Sequence, residues 1–201
     1  MKERIIKGII DNIRKESNYD ETKLKEIKYG LETIYVSIVK LIIILIISIF
    51  LHTIKELCVF YLLYVLIRLT GFGLHAKNTI MCYLLTIPLF VIIPYLIKIL
   101  ALKEILYYIT IPFIIILAIY APADTEKRPL INSKKRKIYK ILTILISITY
   151  LTIILLKNNY LIKNSLFFSI ILESILVLPI TYKLLGLKYA NYKRYKRKEV
   201  T

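Results

Sequence analysis

The chain has no tryptophan, two cysteines, two histidines, five glycines and only 13 acidic residues among 201. Each shortage excludes something. Two cysteines, Cys58 and Cys82, lie in or beside apolar segments, so the disulfide framework of a small secreted domain is not expected. Together with His52 and His75 they are the only nitrogen and sulfur candidates for zinc, and a catalytic zinc needs three protein ligands. His52 and Cys58 fall near the opposite membrane face from His75 once spans are assigned, so no metal and no cofactor is expected. The first ~30 residues lack an apolar core of the usual ~7–15 residues, so a cleaved signal peptide is not expected either. Strand-like alternation, a repeat of fixed period and an inverted pair of broken helices of the transporter kind are all missing.

What is present is apolar, and it comes in blocks. Hydrophobic residues make up 58% of the chain, gathered into runs of roughly 14 to 20, about the length that crosses a ~30 Å hydrocarbon core. Six such blocks fall near 33–51, 57–70, 78–97, 105–121, 138–156 and 165–182. The backbone must satisfy itself in lipid, so the expected fold class is all-α, a polytopic membrane protein with about six transmembrane helices. The second block is short, and a re-entrant segment is the alternative there. Pro88, Pro94 and Pro112 predict kinks in blocks three and four. Residues 1–32 read as an interfacial amphipathic helical region, with Ile5, Ile6, Ile9, Ile10 and Ile13 on one face. The membrane domain then spans 33–185, followed by a basic tail at 186–201.

The formal charge is +17. Nucleic acid is not the expected partner, because the lysines and arginines fall between apolar blocks, where they report topology and contact with anionic lipids. With the N-terminus in the cytoplasm, 24 of the 30 basic residues lie on that side and five outside. Lys40, within the first block, can snorkel inward. The asymmetry predicts that both termini and the 122–137 loop are cytoplasmic. His75 falls on the same side, and Cys82 begins the third span.

One junction, "RLTGFGLHAKNTIMC" from Arg68 to Cys82, gathers rare residues. A cysteine nucleophile with a histidine base needs only these two side chains and a way to bring them together. The plainer reading makes Cys82 a small buried apolar residue and His75 a headgroup-level loop residue. Arg68 sits one turn before the glycines. Gly71 and Gly73 flank Phe72 and permit a tight turn ahead of His75. Because seven residues of continuous helix rise about 10.5 Å, a working pair requires His75 to lie outside the regular helix. Glu173 interrupts the last apolar block, and an ionisable residue there is either a functional group or an interhelical hydrogen-bonding one.

The run Arg68, Gly73, His75, Ala76 and Cys82 resembles the signature of the accessory gene regulator B (AgrB) family, membrane cysteine endopeptidases of Gram-positive quorum sensing. "IYAPADTEKRPL" at 119–130, the basic loop after it and "ESILVLP" at 173–179 carry the resemblance further. Many members have a glycine pair before x-His, whereas position 72 here is Phe; that departure touches the turn and not the reactive atoms. The resemblance implies cleavage of an AgrD-like autoinducer precursor peptide near its acidic C-terminal tail. The N-terminal product is held as a thioester on the cysteine, and an internal cysteine of the peptide displaces the enzyme to close a thiolactone. His75 would be the base and Cys82 the nucleophile, with Arg68, Gly73, Glu173 and Asp124 supporting them. Asp124 and Glu173 are candidates for a third catalytic residue, and Asn78 could orient a ring. Lys134, Lys135, Arg136 and Lys137 are candidates to attract the acidic tail. The resemblance also implies a homodimer in the plasma membrane. A peptide exporter without covalent chemistry and a lipid-contacting scaffold are the competing function classes.

Overall fold

A computed structural model describes residues 2–17, 19–126 and 129–193. The chain is an all-α membrane protein: among the described residues there are helices and one isolated backbone bridge, with no strand. It divides into two units, residues 1–47 and 48–201.

In the first unit, α1 (Lys2–Glu16) is amphipathic, with Ile6 and Ile10 buried while Ile5 and Ile9 are exposed. The isoleucines predicted to share one face thus divide between a buried and an exposed stripe. Asp20 starts α2 (Glu21–Phe50) by accepting the Lys23 N–H at 2.8 Å, the side-chain capping geometry that satisfies a free helix-end donor. Because α2 is continuous over 30 residues, the division placed at residue 32 falls inside a helix.

The second unit holds α3 (Ile54–Gly71), α4 (Thr79–Ile99), a 3-10 turn (Glu104–Ile109) leading into α5 (Thr110–Tyr120), α6 (Ser133–Leu156), α7 (Tyr160–Val177) and the short α8 (Pro179–Leu184). Helices α2, α4, α6 and α7 are long and apolar enough to cross a membrane, and Glu104–Tyr120 is a shorter apolar segment. The second block proves longer than its apolar core, at 18 residues, because Ile54, Lys55 and Glu56 ahead of it and Gly71 after it lie within the helix. The last block ends sooner than expected: α7 stops at Val177, and Pro179 opens α8 at a position where proline's missing N–H costs nothing. Pro88 and Pro94 lie inside α4, whereas Pro112 falls in the first turn of α5.

Helix α7 is the centre of this unit and packs against α3, α4, α5 and α6. Its buried side chains include Ser165, Ser169 and Glu173, spaced by four, so one face of an apolar helix is small and polar. On α6, Thr143 and Ser147 are buried while Ile141, Leu145 and Ile148 are exposed. Apolar outside and small polar inside is the arrangement that lipid favours, since helices there associate by close packing and hydrogen bonds instead of hydrophobic burial. Specific bonds tie the helices: the Tyr150 hydroxyl donates to the Leu63 carbonyl at 2.6 Å, and Ser174 donates to Phe113 at 3.0 Å. Phe60 and Tyr64 of α3 meet Phe90 of α4 with ring centroids 5.6 and 5.4 Å away.

Candidate active site

The junction singled out in the sequence is the connection between α3 and α4, residues 72–78. Helix α3 ends because Phe72 and then Gly73 adopt positive φ, 63° and 83°. That conformation is natural for glycine and costs a bulky residue about 1–3 kcal/mol, so it persists only where the surroundings hold it. Phe72 is held by its ring, which meets Tyr139 of α6 edge-on at 5.0 Å. The reversal therefore uses Phe72 and Gly73. Gly71, expected to serve the turn, is instead the last residue of α3, and its bareness serves packing: a Cβ there would overlap the Glu173 Oε1.

The connection is pinned through its backbone. The Gly73 N–H donates to Ala123 at 2.9 Å, the Ala123 N–H returns to Gly71 at 3.0 Å, and the Leu74 N–H donates to Leu176 at 3.0 Å. Irregular backbone beside membrane helices must find partners inside the protein, and these carbonyls supply them. Arg68 braces the same stretch with both nitrogens. Its Nη1 lies 3.3 Å from Glu173 Oε2, and its Nη2 donates to the Leu74 carbonyl at 2.6 Å. Glu173 is fully buried in the second-last turn of α7, nearer the helix end than the sequence implied, and its Oε1 has no hydrogen-bond partner among the described residues. Tyr64, one turn before Arg68, couples electrostatically to both members of the pair.

His75 follows directly, outside any helix and exposed. It borders a small cavity of about 70 Å³ with Lys77, Thr125, Glu126, Tyr182 and Lys188. Asn78 caps α4, its Oδ1 accepting the Met81 N–H at 2.8 Å. Cys82 closes the first turn of α4, its N–H donating to the Asn78 carbonyl at 3.1 Å. Its partly exposed thiol lies 4.0 Å from the Thr86 hydroxyl.

Asp124 occupies a different position. It is buried, and its carboxylate accepts the backbone N–H groups of Leu130, Asn191 and Tyr192 at 3.2, 3.0 and 2.8 Å. The charge ties the 121–130 loop to the segment after α8. The basic tail is accordingly docked as far as Lys193, and residues 194–201 lie outside the described ones. Asp124 also lines a larger cavity of about 430 Å³ with Arg136, Lys137, Lys140, Tyr189, Tyr192 and Lys193. Burial raises the Tyr189 phenol above its usual value. Asn132 caps α6 by accepting the Lys135 N–H at 3.1 Å. Lys134, Lys135 and Lys137 are exposed there, while the Arg136 guanidinium lies 3.5 Å over the Tyr192 ring. Cations in the first turn oppose the helix dipole by about 0.3–1 kcal/mol each, so this cluster is not there to stabilise α6.

The structure thus gathers Arg68, Gly73 and Glu173 behind His75, and sets Asp124 with the basic cluster. Sequence reasoning missed Tyr64, Leu176 and the Ala123 backbone. Lys163, one of the five basic residues counted on the outer side, lies in the first turn of α7 and is buried. The four-residue spacing of Ser165, Ser169 and Glu173 was a visible signal that α7 turns a polar face inward.

Comparison with known proteins agrees with the resemblance. The model of the family "Accessory gene regulator B" matches residues 6–177. An AgrB-like protein of Clostridium acetobutylicum is 34% identical over 198 residues, covering 97% of this chain and 94% of its own length. An AgrB-like protein of Listeria welshimeri is 31% identical, covering 88% and 87%. The accessory gene regulator protein B of Staphylococcus aureus is 33% identical, covering 85% and 90%. No solved structure matches the chain at a significant level.

Proposed function

Because the chain belongs to the accessory gene regulator B family of quorum sensing, we propose that it is a membrane cysteine endopeptidase that processes an AgrD-like autoinducer precursor. In the first step His75 takes the Cys82 thiol proton and the thiolate attacks the scissile carbonyl. The C–N bond breaks, the proton passes from His75 to the leaving amine, and the N-terminal product remains as a thioester on Cys82. The thiol of an internal cysteine of the peptide then attacks that carbonyl. Its proton goes to the departing Cys82 sulfur, and the ring closes as a thiolactone with no net redox change. A reducing cytoplasm keeps both thiols available.

The observation that supports this reading most is the non-helical, pinned connection that carries His75 ahead of the α4 turn holding Cys82. A continuous helix would have separated the two side chains by about 10.5 Å along its axis. In this reading six segments, α2 to α7, span the plasma membrane of a Gram-positive cell. Both termini and residues 122–137, which are the α5–α6 connection and the first turn of α6, face the cytoplasm. Lys134, Lys135, Arg136 and Lys137 draw in the acidic tail of the precursor and also meet anionic lipid. The enzyme works as a homodimer.

Trapping a covalent peptide adduct at Cys82 by mass spectrometry, absent in Cys82→Ala and diminished in His75→Ala, is the expected result. Release of the cyclised peptide by Cys82→Ala would overturn the reading and leave non-covalent export in its place. Labelling of position 133 from outside intact cells, in a cysteine-free background, would overturn the orientation.

A further inference from the structure

Arg68 presents its two terminal nitrogens to two different elements. One faces Glu173 on α7 at 3.3 Å, and the other donates to the carbonyl of Leu74, the residue before His75, at 2.6 Å. The N–H of Leu74 meanwhile donates to Leu176, three residues beyond Glu173. Both sides of Leu74 are therefore referenced to the last turns of α7, one directly and one through the guanidinium. A guanidinium is planar, so fixing one nitrogen fixes the direction in which the other points.

The glycines fit this arrangement one by one. A Cβ on Gly71 would overlap the Glu173 carboxylate, and a Cβ on Gly73 would overlap Arg68 Nη1 and come within 3.0 Å of the Leu176 carbonyl. Each member of the ion pair is seated against bare glycine backbone, Glu173 at the last residue of α3 and Arg68 in the turn that leads to His75. A pair that only joined α3 to α7 would not need to be wedged there.

We propose that Glu173 is a positioning residue, which aims Arg68 at the Leu74 carbonyl and so sets the place of the His75 imidazole. This rests on the His75–Cys82 reading above. Glu173 itself transfers no proton, and Arg68 is the strut through which it acts.

The full chain in lipid vesicles, carrying Cys58→Ser so that Cys82 is its only thiol, provides the test. Two quantities are measured: the iodoacetamide alkylation rate of Cys82 at neutral pH, and steady-state cleavage of a synthetic precursor peptide with an internal cysteine and an acidic tail. Glu173→Gln is expected to lower kcat about a hundredfold, the scale of an ångström-size misplacement, with KM within about twofold. Its Cys82 alkylation should fall to the rate of His75→Ala. Arg68→Lys should do the same, because one ammonium cannot reach both partners. Gly71→Ala should follow, because it displaces the carboxylate without removing it, and these two variants decide if Glu173→Gln does not insert. Wild-type alkylation and kcat in Glu173→Gln, or a lowered melting temperature alone, would overturn the proposal and leave the dyad standing. Equal alkylation of wild type and His75→Ala, with neither cleaving peptide, would overturn both.

Discussion

Helix α7 carries a buried charge toward each end, and the two are built differently. At its start, Lys163 meets both oxygens of Glu104 at 2.6 Å and lies 4.6 Å over the Tyr107 ring. Beside it, Asn164 accepts from the Tyr107 hydroxyl at 2.7 Å and donates to Ile97 and Leu100 at 3.2 and 2.9 Å. Every polar atom of the Asn164 side chain is used, and its partners are the end of α4, the segment after it and the 3-10 turn. At the other end, Glu173 meets Arg68 at 3.3 Å, with the Tyr64 hydroxyl beside it, and leaves Oε1 unpaired. What it steadies is the irregular connection carrying His75. A fully satisfied network serves to lock a fold, while a partly satisfied buried charge is costly and invites a functional explanation. The two ends separate holding the bundle together from holding a reactive group in place.

The largest effect should come from the second end. Gly73→Val requires φ of 83° from a β-branched residue and drives its Cβ into Arg68. Cleavage should be lost nearly as completely as in Cys82→Ala, by more than about a hundredfold, while membrane insertion measured by fractionation stays intact. Substantial cleavage by Gly73→Val would show that the connection need not be pinned.

Asn164→Leu is the counterpart at the first end. It strands two carbonyls and a hydroxyl, each worth about 1–3 kcal/mol when left buried and unpaired. The melting temperature in detergent should drop markedly, yet kcat of the protein that remains folded should not change. A kcat loss matching that of Glu173→Gln would erase the distinction between the two ends.

Smaller again is the effect of neutralising Lys134, Lys135, Arg136 and Lys137 together. KM for the acidic precursor should rise several-fold at low ionic strength and lose its salt dependence, with kcat unchanged. Unaltered KM at low salt would assign the cluster to lipid alone. The smallest effect should be that of Phe72→Gly, one residue from the most damaging site. It relieves a positive φ in a bulky residue and gives up one aromatic contact of about 0.5–1.5 kcal/mol. Stability should move by no more than about 1 kcal/mol and activity should persist. Loss of activity would mean that the Tyr139 contact steers the turn.

The sequence displayed the all-α membrane class through its apolar blocks, because helices are local and lipid leaves the backbone no alternative. It also displayed a break before His75, since a positive φ at Gly73 is a property of one residue. The Arg68–Glu173 pair was not legible, because its members are 105 residues apart and neither announces its partner. Both were singled out, though as separate observations. The role of Gly71 depends on that pair, so it was assigned to the turn by default. Asp124 was read as a candidate for chemistry, and the structure surrounds it with three backbone donors, from Leu130, Asn191 and Tyr192. Such a cage comes from the return of the chain after α8, which no local pattern encodes. The docking of residues 186–193 is hidden for the same reason, since a run of lysines reads as a solvated tail.

The bridge between Phe72 and Ala123 makes loop length a constrained quantity. Each bonded amide in 71–74 meets one particular carbonyl, and 121–123 answers in register. Inserting one residue after Phe72 would shift Gly73 and Leu74 off Ala123 and Leu176, leaving donors stranded beside apolar helices where water cannot replace the lost partners. An added residue near 131, beyond the last Asp124 contact in that loop, would shift nothing of the kind. The stretches 72–74 and 121–124 should therefore resist changes in their number of residues as strongly as a packed core resists changes in volume, although neither is part of a helix.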